Sequence, residues 1–236
     1  MIKQKLFLTF ILTLILTFGY AQKSVNRFDK DGNRHGLWTK NYHKTDQKRY
    51  KGVFEHGKEI DTFKYYTLSN GKSVLSATKV FNTKNSIAEV TFYTSKKAII
   101  SKGKMDGKQY IGQWIYYHKN TSKEMIIENY NDNGELHGER KVFYETGIVA
   151  EIANYKQGKL HGASKWFFKS NKPLRQSYYK NDLLDGKTIN YDSKGNVTSE
   201  GNYEKDKKAG IWKYYKDGKI TKEIDHTNQK VIKKYE

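Results

Sequence analysis

The chain has 236 residues, with 44 lysines and arginines against 25 aspartates and glutamates, a formal net charge of +19, one proline and no cysteine. The missing cysteines exclude disulfides, thiolate metal centres, a thiol nucleophile and a lipid anchor attached through cysteine. So positive a chain favours anionic or acidic partners, although scattered lysines also keep a long sheet soluble and guard its edges.

At the amino terminus, Lys3 and Lys5 precede an apolar stretch from Leu6 to Phe18, and Gly19-Tyr20-Ala21 supplies a small-x-small cleavage site. This grammar predicts a secretory signal over residues 1–21, leaving 22–236 as a single repeat domain that is exported to the periplasm, the outer envelope or the medium. The stretch is interrupted by Thr9, Thr13 and Thr17. It falls short of the roughly 20 apolar residues that span a bilayer, and no later segment qualifies. Signal removal leaves 42 basic against 25 acidic residues, a charge of +17.

Asp29-Lys30-Asp31-Gly32-Asn33 opens like a calcium loop. The match then fails, because Arg34 stands where the sharp turn requires glycine and Lys40 where a bidentate glutamate belongs. An Asp-Gly turn is the expectation there.

From Gly36 onward one slot marks a repeat: Gly36, Asp61, Ala88, Gly112, Gly138, Gly162, Gly186 and Gly210, at intervals of 25, 27, 24, 26, 24, 24 and 24 residues. The clearest copies are Gly112-x-Trp114-x-Tyr116-Tyr117 and Gly210-x-Trp212-x-Tyr214-Tyr215. A fixed period in this range signals one small unit, copied and stacked. In the copy from Gly138, the run Arg140 to Tyr144 suits a strand, Glu145-Thr146-Gly147 a tight turn, and Ile148 to Tyr155 a second strand. Lys156 to His161 then leads to Gly162, so the unit is a β-hairpin. Asn133-Gly134, Lys194-Gly195-Asn196 and Asp217-Gly218 repeat the turn chemistry, and Pro173 is placed in a turn after Asn171-Lys172.

The copies at 61 and 88 lack the glycine, and longer loops with a local bend are expected between Thr67 and Lys84. Asp225 to Glu236 is expected to pair as a last strand or to cap the array. The whole predicts an all-β fold: an elongated, twisted antiparallel meander of about eight stacked hairpins with a period of 24–27 residues.

Strand alternation puts positions two and four after the marker on one face and position five on the other. Trp38, Phe63, Trp114 and Trp212 hold position two, and Tyr65, Phe92, Tyr116, Val142, Trp166 and Tyr214 hold position four, with Lys40 and Asn190 as exceptions. Position five carries Tyr66, Tyr93, Tyr117, Phe143, Phe167, Tyr191 and Tyr215. Ladders of side chains passing from hairpin to hairpin follow, and these repeat-defining residues are assigned a structural role.

Candidate chemistry is sparse. His35, His137 and His161 each precede a repeat glycine, but hairpins about 9–10 Å apart offer fewer than three ligands at one point. Asp182, Asp185 and Asp192 are the densest acids near a loop, with no cleft expected to hold a carboxylate pair. Nucleophile elbows, zinc-protease motifs and phosphate loops are missing, so no catalytic, metal or cofactor site is expected. Tyrosine beside lysine recurs at Lys64-Tyr65-Tyr66, Tyr116-Tyr117-His118-Lys119, Tyr178-Tyr179-Lys180 and Lys213-Tyr214-Tyr215-Lys216. Such surfaces bind nucleic acid, glycans or lipid head groups, and the export signal argues against nucleic acid.

The pattern Gly-x-Trp-x-Tyr-Tyr, turn, Lys/Asp-Gly-Lys, strand, Tyr-Lys-x-Gly-Lys-x-x-Gly resembles the MORN repeat variant of many bacterial proteins over about residues 30–225, most closely in the units at Gly112, Gly138, Gly162 and Gly210. The resemblance implies a string of β-hairpins in one extended sheet, with no catalytic residue to carry over. Bacterial members are often labelled antitoxins of toxin–antitoxin systems; eukaryotic relatives are linked to membranes, phospholipids and scaffolding. The expected function is therefore an exported, non-enzymatic module that binds another protein or organises the envelope. The alternatives are an antitoxin or immunity-like protein, and a basic aromatic surface for anionic lipid or polysaccharide.

Overall fold

The computed structural model describes residues 25–82 and 84–235; the expected signal at 1–21 lies outside them. The described chain is a single antiparallel meander in which strands pair with their neighbours along the sequence, apart from the two-residue strands Lys159–Leu160 and Leu183–Leu184, which the ladders on either side bypass. Eight hairpins make up most of it. They pair Arg34–Asn41 with Lys48–Glu55, Lys58–Ser69 with Lys72–Phe81, Ile87–Tyr93 with Ile99–Asp106, and Gln109–Tyr117 with Glu124–Tyr130. They continue as Gly138–Phe143 with Val149–Lys156, Gly162–Phe167 with Pro173–Lys180, Gly186–Tyr191 with Val197–Glu204, and Lys207–Lys216 with Lys219–Asp225. Arg27–Phe28 adds an edge at one end, and Lys230–Lys234 pairs as the expected last strand at the other.

All eight hairpins carry the same irregularity at the same phase. The register shifts between positions four and five after the marker, at Lys40/Asn41, Tyr65/Tyr66, Phe92/Tyr93, Tyr116/Tyr117, Val142/Phe143, Trp166/Phe167, Asn190/Tyr191 and Tyr214/Tyr215. In each case the return strand holds the extra residue, as Met125 does between the partners of Tyr117 and Tyr116. A bulge bends its strand and deepens the local right-handed twist, and further register shifts at Lys51/Val53, Lys102/Lys104 and Glu200/Asn202 lie where a return strand meets the next hairpin.

Turn chemistry explains the reversals. Six tips consist of two successive left-handed residues: His56-Gly57, Asn70-Gly71, Gln157-Gly158, Asn181-Asp182, Lys205-Asp206 and Asp217-Gly218. That is the geometry whose twist matches a two-residue hairpin. Tips also hold one another. The N–H groups of Gly158, Asp182 and Asp206 donate to the carbonyls of Leu136, Leu160 and Leu184, each 22 residues earlier, at 2.8, 2.9 and 2.9 Å. On the opposite edge Tyr42 Oη donates to Tyr66 O at 2.7 Å, and Tyr144 Oη to Phe167 O at 2.8 Å.

Two expectations need correction. No long loop follows Thr67: strands of 12 and 10 residues close on Asn70-Gly71, because Thr67↔Val74 and Leu68↔Ser73 extend the ladder beyond the bulge. Pro173 is not in the turn but opens strand Pro173–Lys180 opposite Phe167, the strand position where a missing N–H costs least. The marker slot itself keeps its phase in both glycine-free copies. Asp61 adopts φ 55°, whereas Ala88 lies flat in an unbroken ladder between Phe81 and Met105.

Position two builds the core, and it does so against a glycine. Phe63, Trp114 and Trp212 are fully buried, each packed over a glycine of the preceding return strand: Gly52, Gly103 and Gly201. A Cβ at those glycines would lie 2.5 Å from a ring carbon of Phe63, Trp114 or Trp212. The indole N–H groups of Trp114 and Trp212 donate to Lys104 O and Asn202 O, both at 2.9 Å, so the buried donor is satisfied. Tyr110 stacks on Trp114 at 4.0 Å, and Tyr203, Tyr214 and His226 surround Trp212. Truncating an aromatic buried like this costs about 3–5 kcal/mol.

Where position two is small, the partner grows. Ser164 and Thr188 replace the aromatic, and Ala153 and Ser177 replace the glycine eleven residues earlier; all four are at most 1 % exposed. Thr188 Oγ1 bonds Ser177 Oγ at 2.9 Å. The fifth hairpin uses charge instead: Arg140 reaches Glu128 at 3.3 Å and Glu151 at 3.0 Å, and Tyr130 Oη donates to Glu128 at 2.6 Å.

Candidate functional site: the open face of the sheet

Cross-strand partners lie on the same face, so the register traces rows of side chains that run the length of the array. The position-four row is Lys40–Tyr50–Tyr65–Ala77–Phe92–Ser101–Tyr116–Ile126–Val142, continuing through Glu151–Trp166–Arg175–Asn190–Ser199–Tyr214–Lys222. It flanks the buried position-two row, and its tyrosines serve the core. Burial pushes the Tyr65 and Tyr116 hydroxyls well above the usual phenol range, and burial together with the Glu128 hydrogen bond pushes Tyr130 up to about 12. These phenols remain protonated and act as donors.

The opposite face carries the position-three row. It begins Thr39–Lys51–Lys64–Thr78–Thr91–Lys102 and passes through Ile115–Ile127–Lys141–Ile152–Lys165. It ends Gln176–Ile189–Glu200–Lys213–Glu223–Lys233. Among these seventeen residues none is buried: the isoleucines are half-buried, and Lys51, Lys64, Lys102, Lys165 and Lys233 are exposed. The centre of the row therefore alternates isoleucines with Lys141, Lys165 and Gln176, and no other described residue buries it.

The position-five aromatics lean onto this row. Tyr93 Oη lies 3.3 Å from Thr78 Oγ1, Lys102 Nζ sits 5.7 Å from the centre of the Tyr117 ring, and Tyr215 Oη donates to Glu200 at 2.6 Å. The Tyr215 bond, reinforced by Lys187 at 2.9 Å, holds the Glu200 carboxyl below its usual range, while the same bond pushes Tyr215 up to about 12. The face is thus rimmed by fixed tyrosines.

The twenty repeat-defining residues divide accordingly. Trp38, Phe63, Trp114 and Trp212 form the core row, with Tyr65, Tyr116, Trp166 and Tyr214 beside it. Tyr66, Tyr117, Phe143, Phe167, Tyr191 and Tyr215 alternate to the open side. Gly36, Gly112, Gly138, Gly162, Gly186 and Gly210 adopt positive φ between 61° and 119°, the conformation that selects glycine at the marker. Strand patterning alone does not single out Gly52, Gly103 and Gly201, though their constant eleven-residue distance to Phe63, Trp114 and Trp212 is present in the sequence.

The candidate acids have structural work. Asp182 Oδ1 accepts Leu160 N–H at 2.8 Å, and Asp192 Oδ1 accepts Lys194 and Asn196 N–H at 2.8 and 2.9 Å, bonds that hold its carboxyl below the usual range. Asp185 enters through its backbone, donating to Tyr178 O at 2.9 Å. His137 and His161 use their own N–H groups to close onto Asn129 O and Asn154 O, both at 2.8 Å. Asp29 makes the expected turn, with Oδ1 accepting Asp31 N–H at 3.0 Å and Asn33 N–H at 2.8 Å.

Fold and faces together define a hairpin-repeat protein with one packed and one open face. The family model of the MORN repeat variant matches three consecutive units, residues 136–157, 160–181 and 184–205. These three units match the repeat variant, and their bulges have the same phase as those of the five other hairpins. No curated protein matches the chain.

Proposed function

We propose that this chain is an exported, non-enzymatic binding module that engages another protein through its open face. The observation that carries the reading is the unbroken position-three row, in which Ile115, Ile127, Ile152 and Ile189 are only half-buried among the described residues. Apolar centres within a polar rim are where binding energy concentrates, and the flanking lysines and tyrosines provide that rim. MORN repeats are found in proteins that bind other proteins or membranes, which agrees with a surface-presenting role. Export rests on the signal grammar of residues 1–21, and with export an antitoxin-like role means masking a secreted or envelope toxin.

Immobilised mature chain, incubated with envelope extract and washed at low and high salt, tests this against charge-driven attachment. The module retains one protein through the high-salt wash, and Ile127→Glu with Ile152→Glu abolishes that retention. Acidic lipid or polysaccharide retained only at low salt, and equally by both forms, would replace the proposal with an anion-binding surface.

A further inference from the structure

Two features that the sequence keeps apart meet at the amino-terminal end of the array. The Asp29 turn precedes the first hairpin, His35 lies in its first strand, and His56 is at the tip that leads to the second. A donor atom of each residue lies within 4.8 Å of the other two. Asp29 Oδ1 is committed to two turn N–H groups, which leaves Oδ2 aimed at His56 Nδ1, 2.8 Å away. The Asp29 side chain is only 8 % exposed. The rings of His35 and His56 lie 5.0 Å apart, and His35 Nδ1 is shielded from solvent with no hydrogen-bond partner. The tip is seated firmly, since Gly57 N–H donates to Arg34 O at 2.9 Å and a side chain at Gly57 would meet Asn33 at 3.5 Å.

We propose that Asp29, His35 and His56 bind a divalent transition-metal ion of the zinc class, clasping together the Asp29 turn, the first strand of the first hairpin and the turn that leads to the second hairpin. Two imidazoles and one carboxylate suit zinc and its neighbours, whereas calcium requires six or more oxygens. A tetrahedral ion held at about 2.0–2.2 Å keeps its ligands about 3.3–3.6 Å apart, leaving the fourth position to water. His56, whose side chain is 65 % exposed, can make the small movement needed. The turn N–H groups on Asp29 Oδ1 act as the outer hydrogen bonds that orient a ligating carboxylate. Coordination through Nδ1 would also satisfy the shielded nitrogen of His35. The site joins chain segments at the open end of the sheet, so metal binding is folding energy for the first hairpin. It is independent of the open-face reading.

The test is calorimetric titration of Zn2+, with Ca2+ as comparison, into the full chain purified without a polyhistidine tag. The expected result is one Zn2+ per chain, no Ca2+ binding, and at least a tenfold loss of Zn2+ affinity in His56→Asn and in Asp29→Asn. Asparagine accepts the left-handed backbone at 56 and keeps the turn-accepting oxygen at 29, so both variants should retain the strand circular dichroism of the parent. An absence of saturable Zn2+ binding, or affinity unchanged in both variants, would overturn the proposal.

Discussion

Replacing Gly103 with alanine adds one methyl group where the fold has no room for it. The new Cβ would stand 2.5 Å from Trp114 Cε2, and the indole cannot retreat freely because it is fully buried, stacked on Tyr110 and bonded to Lys104 O. Overpacking of this kind costs about 1–3 kcal/mol, and a strained or lost indole hydrogen bond adds about 1 kcal/mol. The expected loss is therefore about 2–4 kcal/mol, or roughly 4–16 °C in Tm for a chain of this size. Urea and thermal unfolding, followed by tryptophan fluorescence and circular dichroism, measure it. The decisive background is Trp114→Ser. Ala153 with Ser164 already forms that smaller pair two hairpins later. With the indole gone, Gly103→Ala should be neutral or should stabilise by about 0.4–1 kcal/mol, because alanine restricts the unfolded chain and fills space. Equal destabilisation by Gly103→Ala in both backgrounds would refute the argument that glycine is there to admit the ring.

Gly112 presents the opposite case, with nothing near its missing side chain but φ of 61°. Gly112→Ala should cost about 1–2 kcal/mol from the left-handed backbone alone, and Gly112→Asn measurably less, as thermal melts will show. Arg140→Ala should cost about 3 kcal/mol by leaving Glu128 buried without its cation, whereas Arg140→Met with Glu128→Gln should recover most of that loss in urea titrations. His226 packs on Trp212, and its Nε2 lies 3.0 Å from Tyr214 Oη; burial and Lys208 lower its pKa. The folded state then binds fewer protons than the unfolded state just below the ordinary histidine value of about 6.5. Its contribution is full above that value and is lost as pH falls through the lowered folded pKa. Tm should accordingly drop less between pH 7 and 5 in His226→Gln than in the parent; equal drops would show that His226 does not contribute.

The hairpins, their phase and their turns were legible because glycine at positive φ and paired aromatics are local signals that recur every 24–27 residues. The marker could be followed even through Asp61, since aspartate tolerates the conformation that the turn demands. Less legible were features that depend on two strands at once. Gly52, Gly103 and Gly201 look like weak points in a strand until the ring eleven residues on is placed over them. The long second hairpin reads as a loop in the sequence because Ser69-Asn70-Gly71-Lys72 breaks an apolar pattern that pairing then resumes. His56 stands alone in the sequence, since its neighbours Asp29 and His35 lie 27 and 21 residues earlier and only the tip geometry unites them. The open-face row follows from register, which the bulges shift by one residue in every unit.

The absence of cysteine allows the interface to be mapped without background. Single cysteines would be placed on the open face at Ile127 or Ile152 and on an exposed loop at Lys169, and maleimide labelling rates compared with and without the captured partner. The account predicts at least tenfold slower labelling at 127 and 152 in the complex, with Lys169→Cys unchanged. Undiminished labelling at both face positions, with the partner demonstrably bound, would contradict it.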